Sequence, residues 1–154
     1  MRLILNEENM QKEEIIALMK QAAELCLEAE HIQAGDDRTE VSLSFVSPEE
    51  IRRLNRDYRN RDEETDVLSF PQYNSLEEIR AESGFLCLGD VIICPQIAAV
   101  QADEYNHSLT RELVYLMVHS IHHLMGYDHI QEEEKNQMRE KEEAVMEKIG
   151  VKRE

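Results

Sequence analysis

From Leu113 to Met125 the chain reads L-V-Y-L-M-V-H-S-I-H-H-L-M, apolar almost all the way round a helical wheel. A helix of that kind has no face it can leave to water, so the rest of the fold has to enclose it. Any polar group it carries then lies at the bottom of a walled cleft. The polar groups here are histidines. His119 and His123 are four apart and so stand one turn above the other on a single helix face. Gly126 follows directly, where a helix ends at low cost because glycine takes the left-handed conformation without a Cβ penalty. His129 comes three residues later and can return a third nitrogen to the same point, giving the spacing H-x3-H-x5-H.

Three neutral imidazoles with a fourth position open are the usual arrangement of a catalytic zinc, whereas structural zinc is closed by four protein ligands. A lone histidine on an apolar helix is ordinarily a hydrogen-bonded core residue. Three in register, with a helix stop between the second and third, point instead to one metal ion per chain. His122 lies about 60° off the His119 row and is placed as a neighbour of the ligands or a residue that braces them. The peptidase motif H-E-x-x-H needs a glutamate after the first histidine. Ser120 stands there, which disfavours a zinc peptidase and leaves any general base to come from elsewhere.

A length of 154 residues predicts one domain, 1–154. No apolar run approaches the roughly 20 residues of a membrane span, and the first residues lead into acidic ones instead of a signal-peptide core. The expected location is the cytoplasm. Cys26, Cys87 and Cys94 contain no C-x-x-C pair, which fits reduced thiols and neither a disulfide framework nor a cysteine zinc site. Lys and Arg number 17 against 33 Asp and Glu, a net charge of −16 that opposes non-specific binding to phosphate backbones. That argument is bounded by where the positive charges cluster.

In chain order, Arg2 to Leu5 reads as a strand and Glu13 to Ala29 as a helix with one apolar stripe. Val41, Leu43 and Phe45 or Val46 alternate with serines as a second, half-exposed strand. Ser47-Pro48-Glu49-Glu50 is a helix start, with a capping serine, proline in the first position and glutamate three after the cap; the helix runs to about Tyr58. Arg52, Arg56 and Arg59 form a basic row on it, beside Arg53 and Arg61. Arg52 and Arg56 are candidate phosphate contacts, with pairing to Glu49, Asp57 and Asp62 on a solvated face as the alternative. Arg59, at the helix end, is the one a turn can aim into a cleft.

Val67 to Pro71 is a third strand, 72–83 an irregular or partly helical connection, and Phe85 to Cys94 a fourth strand expected to be buried on both faces. Gly89 within it suggests a bulge or a close backbone approach. Asp90 is either tied by hydrogen bonds or placed near the site. Gln96 to Glu104 is a helix, and Ser108 caps the histidine helix. The tail from Glu132 to Ile149 is a charged amphipathic helix packing through Met138, Val145 and Ile149, its other residues a solvated surface. The count is about four strands and about five helices.

These blocks resemble the YbeY family, single-strand-specific, metal-dependent endoribonucleases of bacterial ribosomal RNA maturation. His119 to His129 is similar to that family's H-G-x-L-H-L-x-G-Y-D-H block. Leu54-Asn55, Tyr58-Arg59, Asp62, Thr65 to Pro71 and Leu88-Gly89-Asp90 match two further blocks, so the likeness spans about residues 48 to 130. Ser120 replaces a usual glycine and His122 a usual leucine, without removing a ligand. The resemblance implies an α+β fold, a small mixed sheet packed with helices around the central metal-binding helix. It also implies zinc on His119, His123 and His129, a catalytic or substrate-binding role for Arg59, and action on ribosomal RNA at the 16S 3′ end during ribosome biogenesis. Ribosome-associated proteins are further expected partners.

A zinc ion on three histidines would bring the pKa of its water toward 7 and polarise a phosphoryl oxygen. Arg59 matches phosphate oxygens. Asp128 either orients a ligand histidine or caps the turn after Gly126. Two other classes stay open: a metal-dependent hydrolase of a non-RNA substrate, which net acidity favours, and a ribosome-assembly factor whose metal is structural.

Overall fold

The computed structural model describes residues 1–6, 8–32, 37–127 and 131–151. Its elements run β1 (Arg2–Leu5), α1 (Glu13–Ala29), β2 (Thr39–Phe45), α2 (Pro48–Arg59), β3 (Val67–Pro71), α3 (Leu76–Ala81), β4 (Leu86–Ile93), α4 (Pro95–Glu104), α5 (Leu109–Leu124) and α6 (Glu132–Ile149). The four strands form one mixed sheet in the order β1-β2-β4-β3, with β1, β2 and β4 parallel and β3 antiparallel to β4. This is the expected α+β architecture.

Alternation decides which face of the sheet is covered. Val41, Leu43 and Phe45 are fully buried while Ser42 and Ser44 between them are half-exposed, and the register pairs Leu43 with Val91 and Phe45 with Ile93. α5 packs against β3 and β4 and touches α1, α4 and α6, so the apolar helix is enclosed as its sequence requires. Met117, Ile121 and Leu124 are wholly buried there, each worth roughly 1.5–3 kcal/mol relative to exposure. On the opposite side of the sheet, Ile51 and Leu54 of α2 cover Leu68, Phe70 and Ile92 in a second, smaller apolar cluster. α2 is thereby held beside β3, with its C-terminal end free to reach over the strand's edge.

The helix ends are closed as the residue types dictate. Ser47 Oγ accepts the Glu50 N–H at 3.2 Å, Pro48 opens α2, and Asn60 ends it in the left-handed conformation. Ser108 Oγ likewise accepts the Arg111 N–H at 3.1 Å at the start of α5. At the other end of α5, Gly126 has φ 98°, the Tyr127 N–H bonds the His122 carbonyl and the Gly126 N–H bonds the His123 carbonyl, each at 3.0 Å. That paired arrangement caps the helix and turns the chain sharply after the second histidine.

The stretch 72–83 is partly helical, as expected: it holds α3, whose cap Ser75 accepts the Glu78 N–H at 3.2 Å, and Ser75-x-x-Glu78 is a capping-box spacing inside an otherwise polar segment. Two expectations need correction. β4 is buried on one face rather than two, because α2 covers the outer face only toward β3, and Phe85 is 51% exposed. Asp90 falls on that outer face and is exposed, neither enclosed nor near the site. Gly89 does mark a bulge: Glu40 pairs with Cys87 and Val41 with Gly89, leaving Leu88 as the extra residue. Its φ is 138°, and a Cβ there would collide with the Phe70 carbonyl oxygen of β3. Cys26 and Cys94 are buried and Cys87 partly so; burial pushes all three thiols up. Among the described residues no helix is long and apolar enough to cross a membrane.

Candidate active site

His119 and His123 project from α5 into one cleft of about 950 Å³, whose other walls come from the end of α2, the loop before β3, β3 itself and the turn after α5. The two rings meet edge to face, with Nε2 atoms 3.1 Å apart. Their Nδ1 atoms are engaged elsewhere. His123 Nδ1 lies 3.0 Å from the Tyr127 carbonyl, which only accepts, so the proton sits on Nδ1 and Nε2 carries a lone pair. His119 Nδ1 lies 2.5 Å from Glu142 Oε2 of α6, and a carboxylate imposes the same tautomer.

Two imidazole nitrogens facing one another at that distance are bridged either by a shared proton, as a hydrogen bond, or by a metal ion. For nitrogens about 2.0–2.1 Å from a tetrahedral zinc, the N···N edge is roughly 3.3 Å. The donor type, tautomers and spacing therefore fit a zinc-like ion, and the carboxylate–histidine and carbonyl–histidine bonds are the usual supports of such ligands. Among the described residues no set of three His, Cys, Asp or Glu side chains gathers around one point. His129 and Asp128, the third expected ligand and the expected orienting carboxylate, lie outside the described residues.

Arg59 enters the cleft from α2. Its Nη2 donates to the Ser69 carbonyl of edge strand β3 at 2.6 Å, and its Cζ lies 5.6 Å from the centroid of the Phe70 ring. Ser69 also reaches α5, its Oγ 2.5 Å from Ser120 Oγ, both buried. The serine next to His119 thus ties the histidine helix to the strand that holds the arginine. The other α2 arginines are ion-paired on the surface: Arg52 with Asp62 at 2.9 Å, Arg53 with Glu50 and Asp57, Arg56 with Asp57 at 3.1 Å. Among the described residues no carboxylate pairs with Arg59. Arg52 and Arg56 do not line the cleft; Arg61 does, 3.9 Å from Glu63. Glu63, Glu64 and Asp66 add negative charge to the same wall.

His122 points away from His119 and His123. It is buried, its Nδ1 is 2.7 Å from the Val118 carbonyl, and its ring packs edge-on against Tyr127; burial pushes its pKa down. Tyr127, whose carbonyl braces His123, is itself tethered by its hydroxyl, which donates to Glu30 Oε1 at 2.6 Å. Glu30, buried at the end of α1, also takes Lys141 Nζ at 2.8 Å and Arg80 Nη2 at 3.3 Å. Four elements are joined at this carboxylate beneath the turn. Burial alone would push the Glu30 carboxyl up; the bonds from Lys141 and Tyr127 outweigh it and hold it below the usual carboxylate range.

Glu142 escaped the sequence reading, which placed the tail's polar residues in solvent. The signal was present: Met138, Glu142, Val145 and Ile149 fall at i, i+4, i+7 and i+11, so the glutamate lies on the packing face. It is 4% exposed, and its second oxygen takes the Tyr115 hydroxyl at 3.2 Å.

A family model described as endoribonuclease YbeY matches residues 3–150. The endoribonuclease YbeY of Finegoldia magna is 49% identical over 139 residues, covering 90% of this chain and 86% of that one. That of Clostridioides difficile is 41% identical over the full length of both. A solution structure of a Thermotoga maritima protein superposes with a TM-score of 0.64 at 28% identity, covering 96% of this chain and 87% of the other.

Proposed function

The chain belongs to the YbeY endoribonuclease family, and on that premise we propose that it is a zinc-dependent endoribonuclease. Its substrate is single-stranded RNA, its place is the cytoplasm, and its task is ribosomal RNA processing, including 16S 3′-end maturation, during ribosome biogenesis. One observation carries the reading: two imidazoles with fixed tautomers converge on a point in a cleft that also receives Arg59, which has no carboxylate partner among the described residues.

His119 and His123 would hold the metal, with His129 in the same role on the strength of the motif. The chemistry such an ion supplies when bound is Lewis acidity, polarising a phosphoryl oxygen and acidifying a water. The protein's own groups do the rest. Glu142 and the Tyr127 carbonyl keep protons on the two Nδ1 atoms, so each Nε2 presents its lone pair to the point between the rings. Arg59 spends one N–H on the Ser69 carbonyl, which fixes its direction, and turns its remaining N–H groups toward a phosphate. The Ser69–Ser120 bond keeps the arginine's strand and the histidine helix in register.

The carboxylates Glu63, Glu64 and Asp66 on the cleft wall favour a second reading, hydrolysis of a non-RNA substrate by the same centre. The experiment is elemental analysis of protein purified without added metal, then cleavage of single-stranded RNA before and after chelation, beside peptide and ester substrates. Chelator-sensitive RNA cleavage, lost in His119→Ala, is the expected result. Metal-loaded protein that leaves RNA intact overturns the proposal, and turnover of an ester or peptide in its place establishes the second reading.

A further inference from the structure

Tyr58 precedes the cleft arginine and at 69% is the most exposed large hydrophobic side chain among the described residues. It is nonetheless held in place. Its ring meets Phe70 edge to face at 5.7 Å, and Arg59 lies over that same Phe70 ring on its way into the cleft. Phe70 is anchored in turn against the small apolar cluster under α2. The result is an ordered aromatic surface, open to solvent and continuous with the one α2 guanidinium that has no carboxylate partner among the described residues.

We propose that Tyr58 is a stacking subsite for the base of an unpaired nucleotide whose phosphate meets Arg59. The inference rests on the endoribonuclease reading and names how the RNA is gripped. The chain has a net charge of −16, Arg52, Arg53 and Arg56 are ion-paired, and among the described residues Arg59 and Arg61 are the two cations that line the cleft. Its hold on RNA has to come from contacts that charge does not supply, and base–aromatic stacking is the usual one for single strands. Stacking accepts any base, because each has a π face, but rejects a duplex, whose bases are already stacked and paired. Tyr58 thereby selects strand state instead of sequence. With few phosphates neutralised, the salt dependence of binding is shallow.

The test is steady-state cleavage of a short single-stranded oligoribonucleotide by the full, metal-loaded chain, with Tyr58→Ala and Tyr58→Phe alongside. Loss of the stack raises KM by about fivefold or more in Tyr58→Ala, more than it lowers kcat, while Tyr58→Phe stays near wild type because the ring is kept. An arm that needs no variant to fold uses oligonucleotides made abasic at one position at a time. One position near the cut raises KM in the wild type, and the same lesion adds nothing in Tyr58→Ala. An unchanged KM in Tyr58→Ala, an equal loss in Tyr58→Phe, or no abasic position that matters overturns the subsite while RNA cleavage itself stands. Wild-type protein that cleaves no RNA removes the endoribonuclease reading and the subsite with it. Retained RNA kinetics in Tyr58→Ala, with the ring buried in a complex with a ribosomal protein, assigns the surface to a protein partner and likewise overturns the proposal.

Discussion

Glu142 on α6 and His119 on α5 are joined by a carboxylate–imidazole hydrogen bond of 2.5 Å, formed across the packing contact of two helices. The carboxylate is nearly inaccessible, and its other oxygen takes the Tyr115 hydroxyl. Burial, and then the Glu142 charge, push the Tyr115 pKa up, so the hydroxyl remains a donor throughout the physiological range. Tyr115 also stacks on the His119 ring, with centroids 5.9 Å apart. The imidazole is therefore oriented from its edge by a carboxylate and from its face by an aromatic ring.

Glu142→Gln removes the charge while keeping the volume. An amide oxygen is a weaker acceptor, and the amide can flip to present a donor to Nδ1, which favours the wrong tautomer. Changes to such supporting partners typically cost about 10- to 100-fold in metal affinity. Zinc affinity measured by competition with a chromophoric chelator should fall by that order in Glu142→Gln, with the far-ultraviolet circular dichroism unchanged. Equal affinity would leave Glu142 with a packing role only.

Why Glu142 was hidden in the sequence while His119 and His123 were not follows from range. The histidine pair is a local signal: four residues on one helix share a face, and Gly126 marks the stop. The bounds of β1, α1 and β3 were legible for the same reason, since periodicity and caps act within a few residues. Glu142 acquires its partner through tertiary packing 23 residues away, and nothing in its neighbourhood distinguishes it from the surrounding glutamates except its place on the Met138–Val145 stripe. Asp90 failed in the opposite direction. Its apolar neighbours suggested enclosure, but whether a strand's second face is covered depends on where α2 lies. The basic row of α2 was visible, and its place at the helix end already set Arg59 apart; the structure adds that Arg52 is paired with Asp62 across the turn at Asn60 and Arg56 with its neighbour Asp57.

Gly89 links sheet geometry to the site. Its positive φ and the close Phe70 carbonyl leave no room for a Cβ, and Phe70 adjoins Ser69, which holds both Arg59 and Ser120. Gly89→Ala should lower the unfolding free energy by about 2–4 kcal/mol, combining backbone strain with a backbone collision. Urea denaturation measures this. Stability within 0.5 kcal/mol of wild type, about the size of an ordinary surface change, would mean that the bulge relaxes freely.

Arg59→Lys separates charge from shape. Lysine keeps the positive charge but loses the planar fork that allows one guanidinium to bond the Ser69 carbonyl and a phosphate together. Turnover of single-stranded RNA is expected to fall about tenfold or more, with metal content by elemental analysis unaltered. An unchanged rate would take Arg59 out of phosphate stabilisation.

The carboxylate of Glu30 gives the fold a definite acid limit. Its pKa is held below its ordinary value of 4.5, because the bonds from Lys141 and Tyr127 outweigh the desolvation that opposes them. A group whose pKa is depressed by folding stabilises the native state fully above its unfolded value, and the contribution disappears as the pH falls through the folded one. Lys141 and Arg80 are nearly half exposed, so solvent screens them and the contribution at pH 7 is about 1–3 kcal/mol. Wild type should exceed Glu30→Gln in stability by a constant margin from pH 7 down to about 5, and the margin should shrink below about 4.5. Urea titrations at a series of pH values read it directly. Since the Tyr127 tether slackens with the same change, zinc affinity at pH 7 should weaken in Glu30→Gln as well. A margin that persists undiminished at low pH would show that Glu30 acts through packing and not through its charge.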